Sequence, residues 1–207
     1  VETVTALGIY VPQSPEWYAA RRWRVGASEA SVVLGMSPYQ RADDLLAAKI
    51  DGTQVADTPA MLRGRLLEPA VLAWGAERHG LDYDPDLSRA TYVHDEYDWA
   101  LANPDAVTRD GVLIEAKTTR NRDTEDGWGR GGTDQIPLAY ACQVEWSCAV
   151  LGLDRWTLLV LAGGINGRPS LDFMAYRGYA NPARFTRMAA AVGRWHSRLI
   201  DARKAAA

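Results

Sequence analysis

The sequence predicts an α/β (α+β) fold in which a mixed central β-sheet is flanked by helices. Three observations support this fold class. Residues 14–80 carry capping signals and apolar positions at helical spacing. Residues 89–117 change to strand-like apolar runs separated by turn residues. A helical segment at 136–152 then separates these strands from two more, which is typical of a sheet with a crossover helix.

Four helices are predicted in the amino-terminal part, at 14–23, 26–35, 41–52 and 58–80. Ser28 is the expected N-cap of the second helix, because serine side chains accept hydrogen bonds from the free N–H groups of a first turn. Pro69 lies inside the fourth helix and predicts a kink beside Glu68, because proline removes one helical hydrogen bond.

Five strands are predicted after these helices, at 89–93, 98–108, 111–117, 155–164 and 168–178. The second and third are joined at Asp110-Gly111, a dipeptide typical of hairpin turns. A glycine-rich loop follows at 124–135, and the last helix is predicted at 181–207. A chain of 207 residues can bury one sizeable core and no linker divides it, so we expect a single domain over residues 1–207.

The composition is that of a folded protein, with 47% hydrophobic and 24% charged residues. No apolar run reaches transmembrane length and the first residues lack the pattern of a secretion signal, so we expect a cytoplasmic protein with no membrane partner. Because the net charge is −3, any nucleic-acid binding must depend on local basic patches. Two groups of arginines are candidates: Arg21, Arg22 and Arg24, and Arg120, Arg122 and Arg130.

The stretch 103–119 places a carboxylate before a strand that ends in opposite charges. Glu115 and Lys117 project from the same face of that strand, because side chains alternate with period two. Whether Asp105 shares this face depends on the hairpin turn. A two-residue turn would pair Asp105 with Ala116, whereas a three-residue turn closed by Gly111 would pair it with Glu115.

If Asp105 and Glu115 share a face, they offer two hard oxygen ligands for Mg²⁺ or Mn²⁺. Two such carboxylates would otherwise repel each other or take up a proton. The backbone carbonyl of Ala116 is then a further ligand. Lys117 could orient and help deprotonate a metal-bound water, or neutralise a scissile phosphate. The alternative is that Glu115 and Lys117 form an ordinary ion pair at a sheet edge.

Four motifs resemble, in order, those of one nuclease family. The spacing P-D-x₉-E-A-K over residues 104–117 is the signature of PD-(D/E)xK nucleases. Three further segments are similar to the YqaJ viral-recombinase branch, to which lambda exonuclease belongs: EWYAARRWRVGASEASVVLGMSPY (16–39), RGRLLEPAVLAW (63–74) and AYACQVEWSCAVLG (139–152). The resemblance runs from about residue 16 to about residue 180.

This resemblance implies a restriction-endonuclease-like fold with a centre that holds two Mg²⁺ or Mn²⁺ ions. The metal-binding carboxylates would be those of Glu68, Asp105 and Glu115, next to the Ala116 carbonyl. Lys117 would be the catalytic lysine. A residue of the active-site helix, Gln143, would lie near the nucleophile or the phosphate.

A terminal 5′ phosphate would be held, by the same resemblance, by Arg21 and Ser28. Arg22 and Arg24 are further candidates for DNA contact, because a third arginine follows the pair that the family usually has. Asn103 stands where lambda exonuclease has a serine that helps to hold the phosphate. The residues agree with a phosphate site here, because arginines supply forked donors and a helix start supplies free N–H groups. Taken without the resemblance, Ser28 is more typical of an ordinary N-cap.

The implied activity is that of a metal-dependent 5′-to-3′ exonuclease on linear double-stranded DNA. It would leave 3′ single-stranded tails for phage-type recombination by strand annealing, inside a bacterial host. The implied partners are double-stranded DNA ends, a single-strand annealing protein and further copies of this chain in a trimer. The alternatives are an endonuclease or RecB-like nuclease of the same fold, and a non-catalytic DNA-end-binding protein. Two cysteines are too few for the iron–sulfur cluster of many RecB-like nucleases.

Overall fold

The computed structural model describes residues 5–54, 57–119, 127–165 and 168–205. Six helices occur in these ranges: α1 Pro15–Arg22, α2 Ala27–Val33, α3 Ala42–Asp51, α4 Pro59–His79, α5 Leu138–Val150 and α6 Pro182–Ala205. Each helix predicted from the sequence is present. Arg120 and Arg122, two members of the second predicted basic patch, lie outside the described residues.

Capping hydrogen bonds set the helix starts, and one predicted cap is wrong. The Ser14 hydroxyl accepts from the Trp17 amide at 3.2 Å, as expected for an N-cap. The N-cap of α2 is Gly26, and Ser28 lies in the first turn with an exposed side chain. The reason is that the Glu29 carboxylate reaches back to accept the Gly26 N–H at 2.7 Å, which closes the helix start without a hydroxyl.

Eight strands in the described ranges form two mixed sheets: β1 Thr5–Ile9, β2 Val25–Gly26, β3 Ala90–Val93, β4 Ala100–Ala102, β5 Ala106–Val107, β6 Val112–Thr119, β7 Arg155–Ile165 and β8 Arg168–Tyr179. The strand order is β1-β3-β4-β2 in the first sheet and β5-β6-β7-β8 in the second. The neighbours β2 and β4 are parallel, as are β6 and β7. The predicted mixed α/β class is confirmed, with the strands divided between two sheets.

The predicted strand 98–108 is wrong in one respect, because it is two strands on different sheets. β4 ends at Ala102 and β5 begins at Ala106. Between them, Pro104 has no N–H to donate to a ladder and restricts the backbone of the residue before it. The chain therefore passes from one sheet to the other at Asn103-Pro104-Asp105.

The hairpin between β5 and β6 has the three-residue turn. Ala106 pairs with Ile114, and the last residue of the turn, Gly111, has a φ of +78°. The same register continued by one residue sets Asp105 opposite Glu115. The two-residue alternative, which would set Asp105 opposite another residue, does not occur.

Helices α4 and α5 cover opposite faces of the second sheet. Val144 of α5 packs in one apolar cluster with Leu158, and Val71 of α4 packs in another with Leu159. The Trp146 indole N–H also donates to a backbone carbonyl of β4 at 3.1 Å, so α5 contacts both sheets. None of the helices in the described ranges combines the length and the apolar character needed to cross a bilayer.

Candidate active site

Asp105 lies where the chain leaves the first sheet, and its carboxylate extends the ladder of the second. Its Oδ2 accepts the Ala116 N–H at 2.7 Å, just beyond the last paired residues of β5. The N–H and C=O of one strand residue point to the same neighbouring strand. The Ala116 carbonyl therefore faces the same edge as the Asp105 carboxylate, as its predicted ligand role requires.

Glu115 is a buried carboxylate whose two oxygens differ. Only 1% of its side chain is exposed, and its Oε2 accepts from Lys117 Nζ at 2.8 Å and from Gln143 Nε2 at 2.7 Å. Its Oε1 is buried and has no hydrogen-bond partner among the described residues. Such an atom is costly unless a donor or cation satisfies it. Glu115 therefore has one oxygen available for a ligand.

Lys117 lies between the two carboxylates. Its ammonium nitrogen is 2.8 Å from Glu115 Oε2 and 3.9 Å from Asp105 Oδ2. Burial opposes a charge on Lys117, but the attraction of Glu115 and Asp105 outweighs it and raises the pKa of the lysine. The sequence-predicted set of Asp105, Glu115, Lys117 and Gln143 is thus joined in one contact network.

Two glutamates hold their protons more tightly than usual. Burial, followed by the charge of Asp105, raises the pKa of Glu115 to about 7. The same two causes raise the pKa of Glu68, on α4, to about 7. The charges of Asp105 and Lys117 thus act on Glu68, whose place in the predicted metal set remains a prediction. Like-charged carboxylates that destabilise one another are a usual feature of metal and catalytic centres.

The donor set of this site fits a hard divalent cation. Carboxylate oxygens of Asp105 and Glu115 and the Ala116 carbonyl are the oxygen ligands that Mg²⁺ and Mn²⁺ prefer. The unsatisfied Glu115 Oε1 is the observation that favours an additional cation. Within the described residues, three His, Cys, Asp or Glu side chains do not converge into a complete cage. Such a site would rely on water or substrate oxygens to complete the coordination.

A second polar network joins two residues predicted to bind phosphate. Arg21 Nη1 donates to Asn103 Oδ1 at 2.7 Å, and Asn103 Nδ2 donates to Thr91 Oγ1 at 2.5 Å. The Arg21 guanidinium lies over the Trp17 ring, 4.4 Å from its centroid. Because Asn103 directly precedes Pro104 and Asp105, this network adjoins the carboxylate cluster along the chain.

Arg22 and Arg24 have different contacts from Arg21. Arg22 donates to the carbonyls of Lys49 and Ile50 at the end of α3, at 3.3 and 2.9 Å. Arg24 donates to the carbonyls of Asp98 and Ala20, both at 2.9 Å. Both side chains therefore connect segments of the fold. Of the three arginines, Arg21 is the one that contacts Asn103.

The Ser28 hydroxyl is exposed on the first turn of α2. Within the described part of the chain, no hydrogen bond joins it to Arg21 or Asn103. Its predicted contact with phosphate remains a prediction.

Sequence analysis missed two residues that support Arg21, namely Lys49 and Glu29, whose Oε1 lies 3.9 Å from Arg21 Nη2. Lys49 is 93% buried and forms an ion pair with Glu29 at 2.9 Å. Its ammonium also donates to the carbonyls of Arg21 and Arg24 at 3.0 and 2.8 Å. The signal was present, because Lys49 follows the buried Leu45 by four residues and so lies on the core-facing side of α3.

The glycine-rich loop contributes one aromatic residue, Trp128, to an apolar cluster. Trp128 packs at tilted angles against Tyr140 and Tyr176, with ring centroids 5.5 and 5.2 Å away. Its packing in this apolar cluster gives it a structural role in the described part of the protein.

Three solved structures described as exonucleases have a similar fold. An alkaline exonuclease, LHK-Exo from Laribacter hongkongensis, superposes with a TM-score of 0.71 at 23% identity, covering 93% of this chain and 98% of that one. The structure of LHK-Exo in complex with dAMP gives a TM-score of 0.70 at 21% identity, with the same coverage. A phage-related exonuclease from Haemophilus somnus 129PT gives 0.56 at 13% identity, covering 86% of this chain and 95% of that one. At these identities the likeness establishes the fold.

The sequence itself matches a family. The uncharacterized protein YqaJ of Bacillus subtilis (strain 168) is 30% identical over 154 residues, which are 72% of this chain and 46% of that protein. The chain thus spans less than half the length of this relative. The pattern of the YqaJ-like viral recombinase domain matches residues 16–154, a range that contains both polar networks. This chain belongs to the family of YqaJ-like viral recombinase domains.

Proposed function

We propose that this protein is a metal-dependent deoxyribonuclease that degrades linear double-stranded DNA from the 5′ end. The observation that carries the proposal is the contact network in which Lys117 and Gln143 donate to the buried Glu115 beside Asp105. Family membership and the fold shared with exonucleases agree with it. The LHK-Exo structure contains dAMP, which supports a deoxynucleotide product here as well.

The carboxylates of Asp105 and Glu115, with Glu68 and the Ala116 carbonyl, would hold one or two Mg²⁺ or Mn²⁺ ions. Bound there, such ions would polarise the scissile phosphate and lower the pKa of a coordinated water. Lys117, charged at neutral pH, would neutralise developing negative charge on the phosphate. Gln143 would orient Glu115 through its amide N–H and leave its carbonyl oxygen free to accept from a water molecule.

End recognition is proposed for Arg21, Asn103 and Ser28. The Arg21 guanidinium donates to Asn103 and forms an ion pair with Glu29 at 3.9 Å, and it has further N–H donors that could bind phosphate oxygens. Because Asn103 is two residues from Asp105, a terminal phosphate held here would adjoin the scissile bond. The surviving strand would become a 3′ tail for an annealing protein, and the active protein would be a trimer in the cytoplasm of a bacterial host.

The test is digestion of end-labelled linear duplexes that carry either a 5′ phosphate or a 5′ hydroxyl, with covalently closed circles as control. We expect Mg²⁺-dependent release of nucleotides from the 5′ end, faster for the phosphorylated duplex, and intact circles. Cleavage of circles would indicate an endonuclease. Equal cutting of both ends would reject end recognition. Binding of ends without cleavage, with either metal, would reject the nuclease.

A further inference from the structure

A groove of about 360 Å³ lies between the carboxyl end of α4 and strand β8. Trp74, Arg78 and His79 line it from the helix, and Phe173 and Arg177 line it from the strand. Gly131 and Gly132 form a third wall, where the absence of side chains leaves backbone open to the groove. The volume falls within the range of small-ligand sites in proteins.

The groove contains a flat aromatic surface. The rings of Trp74 and Phe173 stack with centroids 4.9 Å apart and planes 14° from parallel. Phe173 keeps 37% of its surface exposed, which is unusual for phenylalanine. A further flat ring could therefore extend this stack from the solvent side.

Two exposed arginines line the groove next to the aromatic pair. Some exposed arginines in the described part of the chain form ion pairs, such as Arg184 with Glu145 and Arg198 with Asp43. Within the described residues, the guanidinium groups of Arg78 and Arg177 have neither an ion pair nor a hydrogen bond, and no acidic side chain lines the groove. Unpaired arginines on one surface attract phosphate.

His79 adds an unsatisfied polar atom to the same groove. Its Nε2 is buried and has no hydrogen-bond partner among the described residues. Burial and the neighbouring Arg177 and Arg78 lower the pKa of His79, so its imidazole is neutral near pH 7. Arg78 and Arg177 therefore supply the positive charge of the groove.

The groove is separate from the carboxylate cluster. Arg78 follows Glu68 by ten residues on α4, which corresponds to about 15 Å along the helix axis. Phe173 and Arg177 alternate along β8 with Tyr176, which packs in the apolar cluster on the α5 side of the sheet. The groove thus opens on the α4 side, whereas Glu115 contacts Gln143 on the α5 side.

We propose that this groove binds a nucleotide unit of single-stranded DNA, with a base stacked on Phe173 and its phosphate between Arg78 and Arg177. Aromatic stacking next to cationic side chains is the general mode of binding single strands without sequence preference. The inference rests on the proposed function for the origin of the strand, which would be the one that digestion leaves behind. The groove would hold this strand away from the carboxylates.

The test measures binding without cleavage, in the presence of EDTA, by fluorescence anisotropy of a labelled oligothymidylate. The double variant Arg78→Ala/Arg177→Ala should weaken binding about tenfold or more. Each lost phosphate contact should also reduce, by about 0.7, the magnitude of the slope of log binding constant against log salt concentration. Phe173→Ala should weaken binding at least fivefold, because a stacked base is worth about 1–3 kcal/mol. Arg187→Ala removes an exposed arginine of α6 outside the groove and is the matched control.

Two further experiments identify the kind of ligand and locate its binding site. The first compares competition by thymidine 5′-monophosphate with competition by the unlabelled oligonucleotide, at equal nucleotide concentration. Equal competition would assign the groove to free nucleotides, and weaker competition by the mononucleotide would assign it to single strands. An oligonucleotide with 5-iododeoxyuridine should cross-link to Trp74 or Phe173. The inference would be overturned if the Arg78→Ala/Arg177→Ala variant and the Phe173→Ala variant bound the oligonucleotide as tightly as Arg187→Ala does. Cross-links to residues outside the groove would also overturn it. Mg²⁺-dependent digestion by the same variants reports on the proposed nuclease independently.

Discussion

The Glu115 carboxylate has two donors on one oxygen and none on the other among the described residues. Lys117 and Gln143 fix the position of the first oxygen, so the second is held in a constant direction. Packing alone does not explain a buried carboxylate next to Asp105 and Lys117, because burial disfavours its negative charge. This arrangement is one that a bound cation and a phosphate substrate would complete.

Replacing Lys117 by alanine should lower the rate of DNA cleavage by about 10²–10³-fold, because it removes a cation that acts on the transition state. DNA binding should change little, since no predicted metal ligand is lost. Single-turnover rates and anisotropy measurements on the same variant separate the two effects. Lys117→Arg, which keeps the charge but changes its shape, is the control. Cleavage near the wild-type rate in Lys117→Ala would remove this residue from the mechanism.

The raised pKa values predict how stability of the metal-free protein depends on pH. Glu68 and Glu115 release their protons near pH 7 in the folded state but at about pH 4.3 in the unfolded chain. Between these values the folded state binds more protons, so stability should fall as pH rises from about 5 to 8. Thermal melting in EDTA measures this slope, and Glu115→Gln should flatten it. An unchanged slope in Glu115→Gln would contradict the assignment.

At the scale of elements, the break between β4 and β5 brings the two polar networks together. Asn103 ends the path through the first sheet, and Asp105 begins the path along the second. The sequence predicted the hairpin and both alternatives for its turn. It did not predict the break, because alternating apolar residues on both sides of Pro104 look like one strand. A two-residue strand such as β2 is too short for any periodicity to indicate it.

Alanine substitutions of the three arginines near α1 should have different effects. Arg21→Ala should slow cutting of the 5′-phosphorylated duplex by about 10- to 100-fold, since a charge-assisted contact is worth about 1.5–3 kcal/mol, and should narrow the difference between the two kinds of end. Arg22→Ala and Arg24→Ala remove hydrogen bonds to carbonyls and should lower the melting temperature instead. Rates on both duplexes and melting curves are compared. Equal loss on both duplexes in Arg21→Ala would contradict end recognition.

At the scale of the molecule, α5 connects the two sheets, which were predicted from the sequence to be a single sheet. Trp146 bonds to β4 of the first sheet, and Gln143 bonds to Glu115 of the second. Composition, helix positions and the carboxylate pair were predictable, because they depend on local periodicity and spacing. The division into two sheets and the burial of Lys49 were not, because they depend on which distant strands and helices meet.

The proposed single domain predicts one cooperative unfolding transition. Far-UV circular dichroism follows helices and strands together, whereas fluorescence follows tryptophans such as Trp146 near the first sheet and Trp156 in the second. The two denaturation curves should coincide, because α5 transmits unfolding of either sheet to the other. Separate midpoints for the two signals would show that the sheets unfold independently and would reject a single domain.

The central claim is that the cluster around Glu115 hydrolyses DNA with the help of a divalent cation. The most direct measurement compares nucleotide release from linear duplex by the wild type, Asp105→Asn and Glu115→Gln, each with EDTA, Mg²⁺ or Mn²⁺. An amide at position 105 can still accept the Ala116 N–H, so the fold should persist while hard-cation binding weakens. We predict metal-dependent release by the wild type and its loss in both variants. Release that persists in EDTA, or in both variants, would contradict the account.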